Sequence, residues 1–343
     1  MIGDRIKLKR TANRESLQDL ANSLNQAGCN ITYATLSNYE NSKTIPSDDM
    51  LARLGEQLGV PASFFKEDIF PDLAAHCFTP LSLDKKHATE LNAYLSVMLE
   101  RDLSLDKLLS VPAHEVTDQR IFIHTFDAKL AEDTAARFRE EHGSGELPIN
   151  SVCNLLETTG WYLFELPKSF GVPALSGWSE NPGHLFIAYV ANDRPDELRY
   201  ELFKAVAHSL FASDDPKVLS AMCAYFARAV QFPRSRILLE LGEKRNVISY
   251  RELTILKQKY GLSRLNLSTR LNELGFLSRE SFDNLRFLLK KFGIPQNRGL
   301  RDDMLAFHEQ PYLFEQKVLR ARAEGLITAE EAVSFYPFQF YEI

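Results

Sequence analysis

The sequence predicts a mainly α-helical chain that also carries a small α+β domain, and three observations lead there. The first 66 residues break into short segments with apolar residues at helical spacing, punctuated by Gly, Pro, Asn and Ser. A single long helical stretch follows at residues 85–109. From Asp127 onward, helical patterns interleave with short strand-like runs bounded by Gly and Pro, the mark of a mixed domain.

At 343 residues, with 45% hydrophobic and 25% charged residues, the chain has room for two or three domains, expected at 1–68, 69–125 and 126–343. No apolar run approaches the ~18–20 residues needed to span a bilayer, and residues 2–10 form a short basic amphipathic stretch, unlike a signal peptide. A cytoplasmic location with no membrane partner is expected. Cys29, Cys77, Cys153 and Cys223 contain no C-x-x-C pair, so neither a disulfide framework nor a zinc knuckle is indicated. The net charge of −6 argues against a protein that coats nucleic acid indiscriminately and confines any DNA contact to a local face. No cofactor is expected.

Residues 2–11, 16–24, 32–39, 47–58 and 62–65 read as short helices. Leu17, Leu20, Ala21 and Leu24 give the second an apolar face, Leu36 and Tyr39 anchor the third, and Leu51, Leu54 and Leu58 close the core from the fourth. Helices this short hold only when packed together, so the layout is that of a compact helix-turn-helix unit.

Glu15-Ser16-Leu17-Gln18-Asp19-Leu20-Ala21 resembles the x-S-x-x-x-L-A of the Xre/Cro class of lambda-repressor-like regulators. The run from Thr35 to Ser47 resembles their T-I-S-x-I/Y-E-x-G-K-x-x-P-S. The resemblance implies that residues 32–39 are a recognition helix for a double-stranded DNA operator. Thr32, Tyr33, Ala34, Ser37 and Asn38 would face base edges or nearby phosphates, with Ser16, Gln18 and Lys43 at the backbone. Two departures stand out: Leu17 where many members carry glutamine, and a connection at 25–30 longer than the usual tight turn. Arg5, Lys7, Lys9, Arg10 and Arg14 make the first helix basic, either as a solvated face or as phosphate contacts.

Pro71 and Pro80 mark a linker before the helix at 85–109. Its stripe of Leu91, Leu95, Met98 and Leu99 reads as a docking or dimer seam rather than a ligand box. Beyond it, residues 131–141 and 150–158 read as helices, and 160–166, 174–178 and 184–190 as short strands.

Residues 198–233 read as two helices joined at Ser213-Asp214-Asp215-Pro216. Leu198, Leu202, Val206 and Leu210 form the buried stripe of the first, and Leu219, Met222, Tyr225 or Phe226, and Val230 that of the second. The run Phe203 to Ala212 resembles the active helix of ImmA/IrrE-type zinc metallopeptidases, F-T-L-A-H-E-L-G-H, and Ser220 to Pro233 resembles their E-x-x-A-N-x-F-A-x-x-L-L-M-P. In that motif two histidines one turn apart hold zinc, a glutamate polarises the attacking water, and a second glutamate is the third ligand. Here His208 keeps the first histidine, while Ser209, Ala212 and Ser220 replace the base and the other ligands. A full ligand set contributes on the order of 10–16 kcal/mol, and one histidine supplies a fraction of that. His208 therefore reads as vestigial, a core or helix-face histidine with a hydrogen-bond partner, with no metal and no catalysis. His76, His87, His114, His124, His142, His184 and His308 show no ligand spacing.

Leu147-Pro148 before an apolar helix, the strand Ala174-Leu175-Ser176-Gly177 and the broken active helix follow the order of the peptidase family, whose small zincin-like α+β fold is thereby implied. Fused repressor–peptidase proteins carry a similar connecting helix. Residues 250–260 and 263–274 form a helix-turn-helix pattern with Lys257, Lys259, Arg264, Arg270, Arg279 and Arg286 in or just after it. They are either a second DNA-binding element or, as in the peptidase family, part of the body; the structural reading is preferred. The tail at 314–336 is similar to that family's C-terminus.

The expectation is a sequence-specific DNA-binding transcriptional regulator, a repressor or antitoxin-like protein acting as a homodimer. Its non-catalytic peptidase-like domain would sense a small-molecule effector, bind a protein partner or dimerise. The alternative is an active zinc metallopeptidase that cleaves a partner regulator, with ligands from outside the motif.

Overall fold

The computed structural model describes residues 2–67, 84–112, 120–179, 183–243, 245, 247–291 and 309–335. Pro71, His76, Cys77, Pro80, His114, His308 and Tyr336 lie outside the described residues.

Four helices open the chain: α1 (Ile2–Ala12), α2 (Leu17–Gln26), α3 (Tyr33–Glu40) and α4 (Asp48–Leu58), with a 3-10 turn at Ala62–Lys66. Each of α2, α3 and α4 begins where the sequence supplies a hydroxyl cap. Ser16 accepts from Asp19 N in a reciprocal capping box, Thr32 from Thr35 N, and Ser47 from Met50 N. Helix α4 stops at Gly59, whose φ of 71° suits glycine. The inward faces meet in one core of Leu20, Leu24, Leu36, Leu51, Leu54 and their neighbours, closed by Ile6 and Phe65. Burying each leucine is worth roughly 1.5–3 kcal/mol, which holds helices too short to stand alone.

Helix α5 (Lys85–Leu108) packs against the opening helices, the sheet and the last two helices. Ala93 and Val97 pack on Ala12 and Leu8 of α1. Leu105 and the following Leu109 pack on Val318 and Ala321. The stripe of Leu91, Leu95 and Leu99, with Met98 beside it, packs on a β-sheet of the same chain. That corrects the dimer half of the sequence reading: the stripe is a docking seam used within the chain, and its burial leaves no surface for a second copy.

After β1 (Ile121–Phe122), helices α6 (Ala128–Glu141) and α7 (Val152–Thr158) lead into β2 (Tyr162–Glu165), β3 (Ala174–Trp178) and β4 (Leu185–Tyr189). The sheet order is β2-β4-β3, with β4 parallel to β2 and antiparallel to β3. Successive side chains point to opposite faces, and both faces are covered. Phe164, Leu175, Phe186 and Ala188 face α5, while Ala174, Ile187 and Tyr189 face the opposite helical layer. That layer is α6, α8 (Pro195–Leu210) and α9 (Pro216–Gln231).

Helix α8 ends two residues earlier than expected, at Leu210. Phe211 turns extended, at φ −123° and ψ 144°, and Phe211–Ala212 forms β5, which pairs in parallel with Ile121–Phe122. Ala212 is therefore on a strand and not on the helix that carries His208.

Helices α10 (Arg234–Leu241), α11 (Tyr250–Tyr260), α12 (Arg264–Glu273) and α13 (Arg279–Lys291) build a further layer around Phe232, Leu253, Tyr260 and Leu267. Basic residues of α11 and α12 hold this layer to the rest and to itself. Arg270 is buried and bidentate to Glu132 at 2.8 and 2.6 Å, Lys257 is buried 3.5 Å from Asp196, and buried Arg264 donates to Thr254. Helices α14 (Leu313–Ala323) and α15 (Ala329–Phe335) close on α5.

One late residue ties the body together. Arg199, fully buried on α8, donates to Glu309 Oε1 at 2.5 Å, and Glu309 Oε2 accepts from the backbone N–H groups of Val152 and Cys153 at 2.8 and 3.0 Å. Gly261, at φ +68°, makes room: a Cβ there would meet Arg199 Nε at 2.4 Å.

Candidate nucleic-acid interface

Helix α3 is held at both ends. At its C-terminal end the buried carboxylate of Glu40 accepts from Arg10 Nε and Nη2 at 2.5 and 2.9 Å, fixing α3 to α1. Gly3 lets the helices approach, since a Cβ there would lie 2.3 Å from Tyr39 O. At the other end Asn25 pairs with the backbone of Ile31, donating to its carbonyl and accepting from its N–H, both at 2.8 Å. This amide closes the long connection at 25–30. Neither Asn25 nor Gly3 stood out in the sequence, although a side chain able to pair a backbone in both directions is the expected device for an overlong turn.

The sequence-predicted residues gather on one outward side of this unit. Thr32, Tyr33, Ala34 and Lys43 are exposed, Tyr33 by 52%, and none of the described residues covers them. Ser37 and Asn38, further along α3, are half-buried. Asn41 Nδ2 donates to the Ser37 carbonyl at 2.7 Å and to its hydroxyl at 3.3 Å, leaving the hydroxyl hydrogen as the donor Ser37 can offer. Gln18 is exposed and donates to Asn22. Ser16 and Thr32 are helix caps, so their oxygens are occupied by Asp19 N and Thr35 N. What they present is a helix N-terminus with free N–H groups, a natural seat for a phosphate.

The charge of the unit differs from the sequence expectation. Between Ile2 and Glu67 eight basic residues face eight acidic ones, so the unit has no net charge. Three arginines of the first helix and its end are consumed internally. Arg5 pairs with Glu100, Arg10 with Glu40, and Arg14 with Glu90 at 2.8 Å while donating to Ser169 O. Burial lowers the pKa of Lys9, with Arg101 adding to the effect. Phosphate contact is left to Lys7 and Lys43, which are exposed and carry no ion pair among the described residues.

Residues 6–65 match the helix-turn-helix family model. This unit is a helix-turn-helix domain. The match runs from within α1 through α2, α3 and α4, with the long connection, into the closing 3-10 turn, and a domain of this type supports DNA binding in transcription regulation. No curated protein and no solved structure matched the chain. No helix among the described residues is long and apolar enough to cross a membrane.

Outside the helix-turn-helix domain, the residues at the positions of the expected peptidase motif do not come together as a zinc donor set. His208 is buried and Ser209 Oγ donates back to Val206 O, while Ser220 faces solvent from α9. Ala212 has left the helix, so even a histidine there would not stand one turn above His208. One imidazole with two hydroxyls and a methyl is not a zinc donor set. No group of three or more His, Cys, Asp or Glu able to hold a metal occurs among the described residues. The expected hydrogen-bond partner of His208 is not found at Nδ1, which is buried without one. Burial, followed by the nearby Lys204 charge, lowers its pKa to about 4, so the ring is neutral at pH 7.

Proposed function

We propose that the chain is a sequence-specific transcriptional regulator that reads a double-stranded DNA operator through α3. The observation that carries this is the uncovered side of the helix-turn-helix domain, where Tyr33, Ala34, Ser37 and Asn38 stand on a helix fixed by Glu40 and by the Asn25 clasp. Tyr33 and Asn38 offer base-edge contacts, and Lys43 with the capped N-termini at Ser16 and Thr32 offers phosphate contacts. The test is affinity for an operator selected from genomic fragments against random DNA. Asn38→Ala and Tyr33→Ala are expected to lose roughly 1–3 kcal/mol on the operator alone, and Lys43→Ala to weaken both DNAs alike. Equal losses on both for every α3 variant would refute direct readout.

The remainder of the chain we read as a non-catalytic, peptidase-like body of a cytoplasmic repressor or antitoxin-like protein. The replacement of base and ligands by Ser209, Ala212 and Ser220, and the end of α8 at Leu210, support this. Metal analysis of purified protein should find no stoichiometric zinc; one zinc per chain lost on His208→Ala would overturn it.

A homodimer belongs to the same proposal. A single small domain with no net charge holds one half-site weakly, and linking two raises affinity ~10²–10⁴-fold without new contacts. With the α5 stripe buried, the joining surface falls to the body. Mass in solution, and an operator with inverted half-sites about one helical turn apart, test it.

A further inference from the structure

A cavity of about 310 Å³ lies between the C-terminal part of α5, β2 and α14. Leu109, Val111, Trp161 and Phe314 give it an apolar wall, and Asp102, Asp106 and Glu157 bring three carboxylates to the same space. Two of the three are engaged. Asp106 accepts from the Tyr162 hydroxyl at 2.7 Å and lies 2.5 Å from Lys317 Nζ. Glu157 accepts from the N–H groups of Tyr312 and Leu313 at the start of α14. The cations of the lining are engaged as well, Lys317 by Asp106 and Arg320 by Glu324 at 2.7 Å.

Asp102 differs. It is 5% exposed, and its Oδ2 accepts no hydrogen bond. Arg101 Nη2 stands 3.7 Å away, but the guanidinium lies flat over the Phe314 ring at 3.8 Å instead of forking onto the carboxylate. A buried carboxylate in this state is costly unless a cation or a proton reaches it. Burial, more than any neighbour, pushes its pKa up to about 7.

We propose that this cavity binds a small organic cation, an amine carrying an aromatic or branched apolar body, with the ammonium on Asp102 and the body against Trp161 and Phe314. Its size is at the lower end of small-molecule sites, and its make-up of apolar walls with one free charged group is the usual one. An anion finds no free partner, since both lining cations are already paired.

The cavity also has a route to the DNA-reading domain. Asp102 is two residues beyond Glu100 on α5, and Glu100 receives buried Arg5 of α1. An ammonium that draws Asp102 acts on the helix to which the helix-turn-helix domain is docked. Occupancy then shifts operator affinity, with coupling on the order of 5–150-fold typical of such linkage. The binding stands by itself; the coupling rests on the regulatory reading above.

The probes are tryptamine and phenethylamine, with 2-phenylethanol and phenylacetate as neutral and anionic counterparts, titrated by calorimetry into the full chain without DNA. Both amines are expected to bind at least tenfold more tightly than either counterpart. Asp102→Asn should weaken the amines at least tenfold, with a melting curve confirming that it is folded. Val111→Trp, at a half-buried rim position, should block every probe. No amine binding, equal binding of alcohol and amine, or full affinity in Asp102→Asn would each overturn the site. Amine binding that leaves operator affinity unchanged would overturn the coupling alone, whereas a chain that binds no operator at all removes the regulatory reading and leaves the site standing.

Discussion

Arg5 and Glu100 join the helix-turn-helix domain to α5 through a buried contact: Nη1 lies 2.5 and 2.6 Å from the two carboxylate oxygens, and neither side chain is more than 4% exposed. Arg5 also donates to Phe64 O and lies 3.9 Å over the Phe64 ring. Removing Glu100 leaves buried Arg5 with the half-exposed Glu67 carboxylate, 3.5 Å away, so Glu100→Ala should cost toward the lower end of about 3–5 kcal/mol. The double variant Arg5→Met with Glu100→Leu should recover most of that. Denaturant melts of the three proteins decide it: a Glu100→Ala chain as stable as the parent would mean the pair does not hold the domain in place.

Because Arg5, Arg10 and Arg14 are engaged within the fold, few counterions are released on binding. With roughly two or three phosphate contacts per domain, log Kd should rise with log salt at a slope of about 2–3 per domain. Fluorescence anisotropy between low and moderate salt measures it. A slope approaching 10 would show that these arginines leave their partners to reach DNA.

Ser42 follows α3 at φ 55°, a left-handed conformation in which glycine carries no steric penalty. Ser42→Gly should stabilise the domain by roughly 0.5–1 kcal/mol, visible as a higher melting temperature. A lower one would mean that the serine side chain contributes more than its backbone costs.

His208 supplies a pH signature. Its folded pKa of about 4 lies below the usual 6.5, so the unfolded chain takes up a proton first as pH falls. Stability from this group is complete above pH 6.5 and declines as pH drops toward 4, by on the order of 3 kcal/mol. His208→Gln should flatten that limb. An unchanged limb in the variant would place the acid sensitivity elsewhere.

Local chemistry made much of this fold legible before any coordinates. The apolar faces at Leu20 and Leu24, Leu36, and Leu51, Leu54 and Leu58 placed α2, α3 and α4 to within a residue or two, and β3 falls at the residues expected. The residues expected to face DNA came from the motif, and of those on or at the start of α3, Thr32, Tyr33 and Ala34 are exposed while Ser37 and Asn38 are half-buried. What escaped was non-local. The partner that buries Arg5 is 95 positions away, and β5 exists because Phe211 and Ala212 pair with Ile121 and Phe122, which nothing in Leu210-Phe211-Ala212 announces. Helix α10 was not anticipated, because its packing depends on Ile237 meeting residues from α11 and α12. The cavity beside Asp102 is likewise assembled from three distant stretches, so no spacing in the sequence could reveal it.

Arg199 leaves the ribosome well before Glu309, its partner 110 positions later. The helix-turn-helix domain has its core complete by Phe65 and can fold while the body is still being made. The body closes later, because Glu309 is the carboxylate that meets the buried Arg199 and accepts from the Val152 and Cys153 N–H groups at the start of α7. Chains that stop short of Glu309 would therefore combine a finished helix-turn-helix head with a trunk lacking this tie. The late carboxylate makes closure of the body one of the last steps of its assembly.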